Sequence, residues 1–267
     1  MATAIDVDGE VFAWRESGSG PALVLLHGLG GSRLSWEPQL AALSLDHRVV
    51  AWDLPGYGGS RAVQGAVDFT ALSDAVIEFL DTIGVAQAHL AGISFGGMIA
   101  QYVAARYPSR ILSLTLLSTS PAFGLDGTNP DEWRAARLAP LDAGREPVDF
   151  ADDVLGAIAG PNISAEALAG QRAAMARISG AALRTSIDCL VTHDSIALLP
   201  KITAPTVCIV GDLDEETPVG YAFALTDLIP GARLAVIPQA GHLLNVEAPD
   251  AVNRLLEDQM ARTMGAS

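Results

Sequence analysis

The pentapeptide Gly92-Ile93-Ser94-Phe95-Gly96 constrains this chain more than any other stretch, because it joins the end of an apolar strand to the start of a helical pattern. Before it, Ala88-His89-Leu90-Ala91 reads as the last part of a short buried strand. After it, residues 97–106 place their apolar side chains at helical spacing and stop before Pro108. A serine in a strand-to-helix turn takes up strained backbone angles, and glycines two residues to either side remove the side chains that would collide there. Its hydroxyl is thereby held out at the carboxyl end of a sheet. The new helix aims its first N–H groups at whatever is attached to that oxygen. Small-residue turns are common, so the legible strand and helix give this one its weight.

Strands alternate with helices over most of the chain. Residues 11–16 alternate in polarity and read as an edge strand, whereas residues 22–26 are continuously apolar, as in a strand covered on both faces. A further strand over 47–52 ends at the turn Asp53-Leu54-Pro55-Gly56-Tyr57-Gly58-Gly59-Ser60, and a helix follows over about 69–83. Other strands are predicted at 111–117, 206–210 and 233–237. This rhythm predicts an α/β fold with a mostly parallel central sheet, helices on both faces, and ligands at the strands' carboxyl ends. It breaks between Pro121 and Leu199, a stretch helical in pattern, rich in Ala, Asp, Glu and Arg, and without a convincing strand. The expected organisation is therefore a core of residues 1–120 and 200–267, with 121–199 inserted as a helical cap, or lid, over the strand ends.

Length and composition narrow the function. A chain of 267 residues, half of them hydrophobic, suits one large domain with an insertion. A formal net charge of -15 disfavours nucleic acid and anionic membrane as partners. No apolar run is long enough to cross a bilayer, and the first residues lack the layout of a signal peptide, which predicts a soluble, cytoplasmic protein. Two cysteines make no disulfide framework, and Cys208, inside an apolar strand, reads as a small buried hydrophobe. Neither zinc-ligand spacing nor a phosphate-binding glycine loop with its lysine is present, so neither metal nor cofactor is expected.

A serine hydroxyl attacks well at neutral pH only when a base takes its proton. His242, in a loop after the last predicted strand, stands in the right place in chain order. Of the other histidines, His47 and His89 precede or begin strands, His193 lies in the insertion, and His27 ends a strand beside Gly28, where a loop-fixing role is expected. The imidazole needs a carboxylate to fix its tautomer. The acidic loop over residues 211–218 follows a buried strand and offers Asp214, with Asp212 second, whereas Ser118-Thr119-Ser120 after the preceding strand has no carboxylate. The glycine-rich loop His27-Gly28-Leu29-Gly30-Gly31 lets backbone approach a bound carbonyl. The oxyanion donors are therefore assigned to the N–H groups of Leu29 and Phe95.

Together these segments resemble the α/β-hydrolase superfamily over nearly the whole chain outside the insertion, including its Ser, acid, His order. Within it, residues 198–206, 229–234 and 241–249 look most like the group of 3-oxoadipate enol-lactonases and small cofactor-free esterases and perhydrolases. Ile93 and Leu243 stand where relatives that cleave carbon–carbon bonds usually carry Asn and Trp, and Ser94 excludes a carboxylate nucleophile of the dehalogenase kind. The turn at Asp53 is structural in such proteins. The resemblance implies hydrolysis of a small-molecule carboxylic ester or lactone through an acyl-enzyme on Ser94, without metal or organic cofactor. Alternatives are a C–C bond hydrolase, a cofactor-free perhydrolase using the same three side chains, or a ligand receptor on the same fold. An enol-lactone carries a carboxylate that the chain's negative charge repels, so that substrate needs a cation in the cap. Arg134, Arg137, Arg177 and Arg184 are the candidates, whereas an uncharged ester needs none. The sequence leaves the oligomeric state open.

Overall fold

The computed structural model describes residues 3–264. Its strands are β1 (Ile5–Asp8), β2 (Ala13–Ser17), β3 (Ala22–Leu26), β4 (Arg48–Trp52), β5 (Ala88–Ile93), β6 (Ile111–Leu117), β7 (Thr206–Gly211) and β8 (Arg233–Ile237). The helices are α1 (Glu37–Leu43), α2 (Phe69–Thr82), α3 (Phe95–Arg106), α4 (Pro130–Asp142), α5 (Ala151–Ile158), α6 (Ala165–Met175), α7 (Gly180–Leu190), α8 (Val219–Leu228), α9 (Leu244–Glu247) and α10 (Pro249–Met264). All eight strands form one sheet in the order β1-β2-β4-β3-β5-β6-β7-β8, antiparallel at β1–β2 and β2–β4 and parallel elsewhere. No helix among the described residues is long and apolar enough to cross a membrane.

The continuous apolar runs are explained by burial on both faces. Successive side chains of a strand point to opposite sides, and in β3 Ala22, Val24 and Leu26 join one core cluster while Leu23 and Leu25 join the other. The first cluster is closed by α2, α3 and α8 through residues such as Phe79, Ile99 and Leu225. The second is closed by α1 and α10 through Leu40, Leu43, Val252, Leu256 and Met260. Both layers follow from the sequence rhythm. The edge does not: the strand expected at 11–16 forms as β2, but β1 pairs along its outer side, so β1 is the edge and β2 is interior.

Strand order decides where a ligand can sit. The chain runs from β3 outward to β4, then returns to place β5 on the other flank of β3. Successive connections therefore diverge above β3 and β5, leaving a crevice at their carboxyl ends. The register Leu26↔Gly92 brings the loop at His27 directly beside the turn at Ser94.

Four α-helices, α4 to α7, lie between β6 and β7. Their chain enters and leaves side by side. Ala122 and Asp194 form an antiparallel bridge, with Phe123 N–H donating to His193 O at 2.8 Å and Ser195 N–H to Pro121 O at 2.8 Å. The apolar sides of these helices, including Leu138, Leu155, Met175 and Leu183, continue the cluster on the α3 side of the sheet.

Candidate active site

Ser94 has φ 54° and ψ -121°, a conformation that side chains rarely adopt, and it ends β5 and starts α3. Surrounding hydrogen bonds hold it there: Ser94 N–H donates to Leu117 O at 2.9 Å, and its carbonyl accepts from Thr119 Oγ1 at 2.8 Å and Met98 N–H at 3.0 Å. The flanking glycines are required by contact. A Cβ on Gly96 would lie 2.2 Å from Leu26 O, and one on Gly92 would lie 2.3 Å from Gly96 O. With both bare, the turn packs against β3 and the half-buried serine faces a cavity of about 230 Å³.

His242 lines that same cavity and is 7% exposed. Its Nδ1 lies 3.0 Å from both Asp214 Oδ1 and Oδ2. Asp214 also accepts from Thr217 N–H at 2.9 Å, Thr217 Oγ1 at 2.8 Å and Glu216 N–H at 3.1 Å, and its side chain is closed to solvent. Burial alone would raise the Asp214 carboxyl, but the adjacent imidazole, with the Thr217 N–H and the Ser118 hydroxyl, outweighs it and holds it below the usual carboxylate range. Burial would likewise lower His242, and the Asp214 charge and hydrogen bond, with the charges of Glu216 and Glu247, together outweigh that effect and lift it above its ordinary 6.5. Asp212 takes no part: its Oδ1 accepts from Gln239 N–H at 2.6 Å, which fixes the loop ahead of His242.

The loop after β3 is built around a neutral imidazole. His27 Nε2 accepts from Leu54 N–H at 2.9 Å, so its proton sits on Nδ1, which donates to Gly28 O at 2.9 Å. Burial keeps its pKa below the ordinary value. The loop-fixing role expected of His27 is what the structure displays. Asp53 is fully buried and accepts from Arg33 N–H at 2.8 Å, Gly59 N–H at 3.2 Å and Arg177 Nη2 at 3.4 Å, tying neighbouring loops together away from the His242 pair. The N–H groups of Leu29 and Phe95 have no acceptor among the described residues. Leu29 lines the cavity, and a Cβ on Gly28 would lie 3.7 Å from Ser94 Oγ, so bare backbone passes beside the hydroxyl.

The remaining histidines and both cysteines stand outside this constellation. His89 is buried against Ser113 Oγ and His193 against Ser120 O, and burial takes each down to about 4. Cys189 and Cys208 are buried free thiols pushed up to about 12 by burial.

The four candidate arginines are all engaged. Arg134 pairs with Asp188 at 2.5 Å, Arg177 with Asp53 at 3.4 Å and Arg184 with Asp142 at 2.5 Å. Among the four, Arg137 lines the cavity, and both oxygens of Glu216 meet it at 2.8 and 3.0 Å. Most of the remaining lining is apolar, with Trp133, Phe150, Leu155, Met175 and Leu183 among it.

Sequence reasoning missed two supports. Glu247 accepts from Gly241 N–H at 2.6 Å and Leu243 N–H at 3.0 Å, bracketing His242 with one carboxylate. It lies in a segment that carries the resemblance, and its place five residues after the histidine was the available signal. The second support comes from the segment between β6 and β7: His242 N–H donates to Ile158 O at 3.1 Å, and Asn162 Nδ2 to Gln239 O at 2.9 Å. No local pattern announces that contact.

Comparison with known proteins bears on the family and the fold. Residues 21–159 match the family model described as the alpha/beta hydrolase fold. The chain is 34% identical to a pimeloyl-[acyl-carrier protein] methyl ester esterase of Chromobacterium violaceum, over 84% of this chain and 88% of that one. It is 30% identical to the dihydrolipoyllysine-residue acetyltransferase component of the acetoin cleaving system of Pseudomonas putida, over 93% of this chain but only 66% of that protein's length. Among solved structures, the enol-lactonase from Burkholderia xenovorans LB400 superposes with a TM-score of 0.82 at 26% identity, covering 96% of this chain and 100% of that one. The chain belongs to the α/β-hydrolase family.

Proposed function

We propose that this protein is a serine hydrolase that cleaves an uncharged carboxylic ester or lactone through an acyl-enzyme on Ser94. The observation that carries the reading is the buried Asp214–His242 pair opening onto the same cavity as the strained Ser94. In the proposed cycle His242 Nε2 takes the Ser94 proton as Oγ attacks the carbonyl carbon. Asp214 keeps the other proton on Nδ1 and stabilises the imidazolium. The unpaired N–H groups of Leu29 and Phe95 receive the developing oxyanion, where one donor typically contributes ~10²–10³ in rate. His242 then protonates the leaving oxygen, and water deprotonated by the same histidine releases the acid. The residues between β6 and β7 serve in this reading as the cap that closes the substrate site.

The ester-cleaving name of one relative and the lactone-cleaving name of a structural neighbour support the reaction class. The cavity supports a narrower substrate than the enol-lactone. A carboxylate entering it would meet one arginine already matched by Glu216, and the other three candidates spend their charge on Asp188, Asp53 and Asp142. Desolvating an unmatched anion is costly, so an uncharged ester fits better. The test is hydrolysis of p-nitrophenyl butyrate with Ser94→Ala beside the parent. A loss of ~10⁴-fold or more is expected, and an unchanged rate would remove the reading.

A further inference from the structure

One side-chain amide in the cavity wall has no hydrogen-bond partner among the described residues. Gln171 lies on α6, is 7% exposed, lines the cavity and makes no side-chain hydrogen bond among the described residues. Outside the proposed reacting pair, the other polar side chains there are engaged, apart from the Trp133 indole N–H, which can only donate and lies under the Arg137 guanidinium. Ser35 Oγ accepts from Ser32 N–H, Asn245 Nδ2 donates to Ser35 O, and Arg137 pairs with Glu216. A glutamine amide offers two donors and an acceptor, and leaving it unpaired in an apolar wall is unfavourable.

Its position gives the unpaired amide a direction. Met175 is four residues on, hence on the same face of α6, and it touches the loop beside Leu29: a Cβ on Gly30 would lie 3.6 Å from Met175 Cγ. Gln171 therefore stands about 6 Å farther along that helix, several bonds from a carbonyl held by Leu29 and Phe95. We infer that Gln171 is a specificity-determining residue that hydrogen-bonds an uncharged group with both donor and acceptor, such as a secondary amide or carbamate, on the substrate. The inference rests on the ester-hydrolase reading above and names the class of substrate that reading leaves open. A neutral amide partner also agrees with a cavity whose one arginine is already neutralised.

Two matched pairs of esters test it, one varying each side of the scissile bond. They are p-nitrophenyl 3-acetamidopropanoate against p-nitrophenyl hexanoate, and 2-acetamidoethyl butyrate against pentyl butyrate. In Gln171→Met, which preserves length and helix propensity, the preference for the amide member should fall ~10- to 100-fold in at least one pair, with the apolar member unaffected. The melting temperature should not drop, because no hydrogen bond within the protein is lost. Gln171→Leu repeats the measurement should the methionine variant fold poorly. Equilibrium binding of the same intact esters to Ser94→Ala protein, with and without Gln171→Met, reads the preference without turnover. Preference lost in binding, where even the parent shows no turnover, would uphold Gln171 and remove the hydrolase reading. Ratios unchanged within twofold in both pairs, or no binding of any of the four esters, would overturn the proposal.

Discussion

The strand ends and the helices above them share one apolar core but differ in their polar contacts, and the difference separates the proposed reacting groups from the proposed recognition surface. In α3, which carries the turn at Ser94 into the core, nine of twelve residues are buried. In α4, which faces the cavity from the other side, Leu138 alone of thirteen is buried. The sheet loops are fixed by buried hydrogen bonds: His27 to Leu54, Asp214 to Thr217, Ser94 to Leu117. The helices are attached by the apolar packing of Leu138, Leu155, Met175 and Leu183 onto the core cluster, by part-exposed ion pairs such as Arg137–Glu216, each partner about one-third exposed, and by the contact of residues 158–162 with the His242 loop. Part-exposed pairs contribute little, roughly 0–1 kcal/mol each. The proposed chemistry thus sits on the more deeply buried layer. The part-exposed polar contacts of the layer that shapes the cavity can differ at small cost to the fold, whereas its apolar contacts to the core cannot.

The largest effect on this contrast should come from the sheet side. Asp214→Asn is expected to lower kcat by ~10³–10⁴, and it should also move the pH profile. The base must be unprotonated, so activity rises with pH through a midpoint above 6.5. Removing the Asp214 charge, the largest influence opposing burial, lets the imidazole lose its proton more easily, and the acid limb shifts to lower pH. A limb that stays in place would break the claimed coupling.

An intermediate effect is expected where the layers meet. A Cβ on Gly160 would lie 2.3 Å from Glu247 Oε2 and 2.5 Å from Gly241 N, against the carboxylate and backbone that bracket His242. Gly160→Ala should lower kcat/KM by ~10- to 100-fold, as small misplacements of a reacting group do, with binding of unreactive ester analogues less affected. An unchanged rate would show the insertion does not position the base.

The smallest effects belong to the helices alone. Arg137→Ala should destabilise by about 0–1 kcal/mol in denaturant melts, less at high salt, and leave turnover of an uncharged ester within a few-fold. Gly156→Ala adds a methyl into open space on α5 and should stabilise by roughly 0.5–1 kcal/mol without changing activity. A large activity loss in either would mean that the outer layer takes part in the chemistry.

The same contrast governs what could be read from the chain. Strand runs over 22–26, 111–117 and 233–237 and the turn at Ser94 are local patterns, and each forms where it was expected. The edge was misjudged because β1 is four largely exposed residues, Ile-Asp-Val-Asp, whose status depends on pairing and not on apolar periodicity. Arginine partners were illegible for a similar reason: Arg137 meets an acid 79 residues away and Arg177 one 124 residues away. Gln171 left a faint trace, as a polar residue on the face of α6 that Ala174 and Met175 bury. Periodicity alone makes such a residue a blemish. Its unpaired amide becomes visible once the cavity is drawn.

The most direct test of the account is chemical trapping on the residue at the centre. Rapid quenching of the protein with p-nitrophenyl butyrate, followed by proteolysis and mass analysis, should find a butyryl group on the peptide carrying Ser94, formed as fast as the nitrophenolate burst. A burst with the label on another residue, or steady turnover with no acylated peptide while Ser94→Ala retains the parent rate, would contradict it.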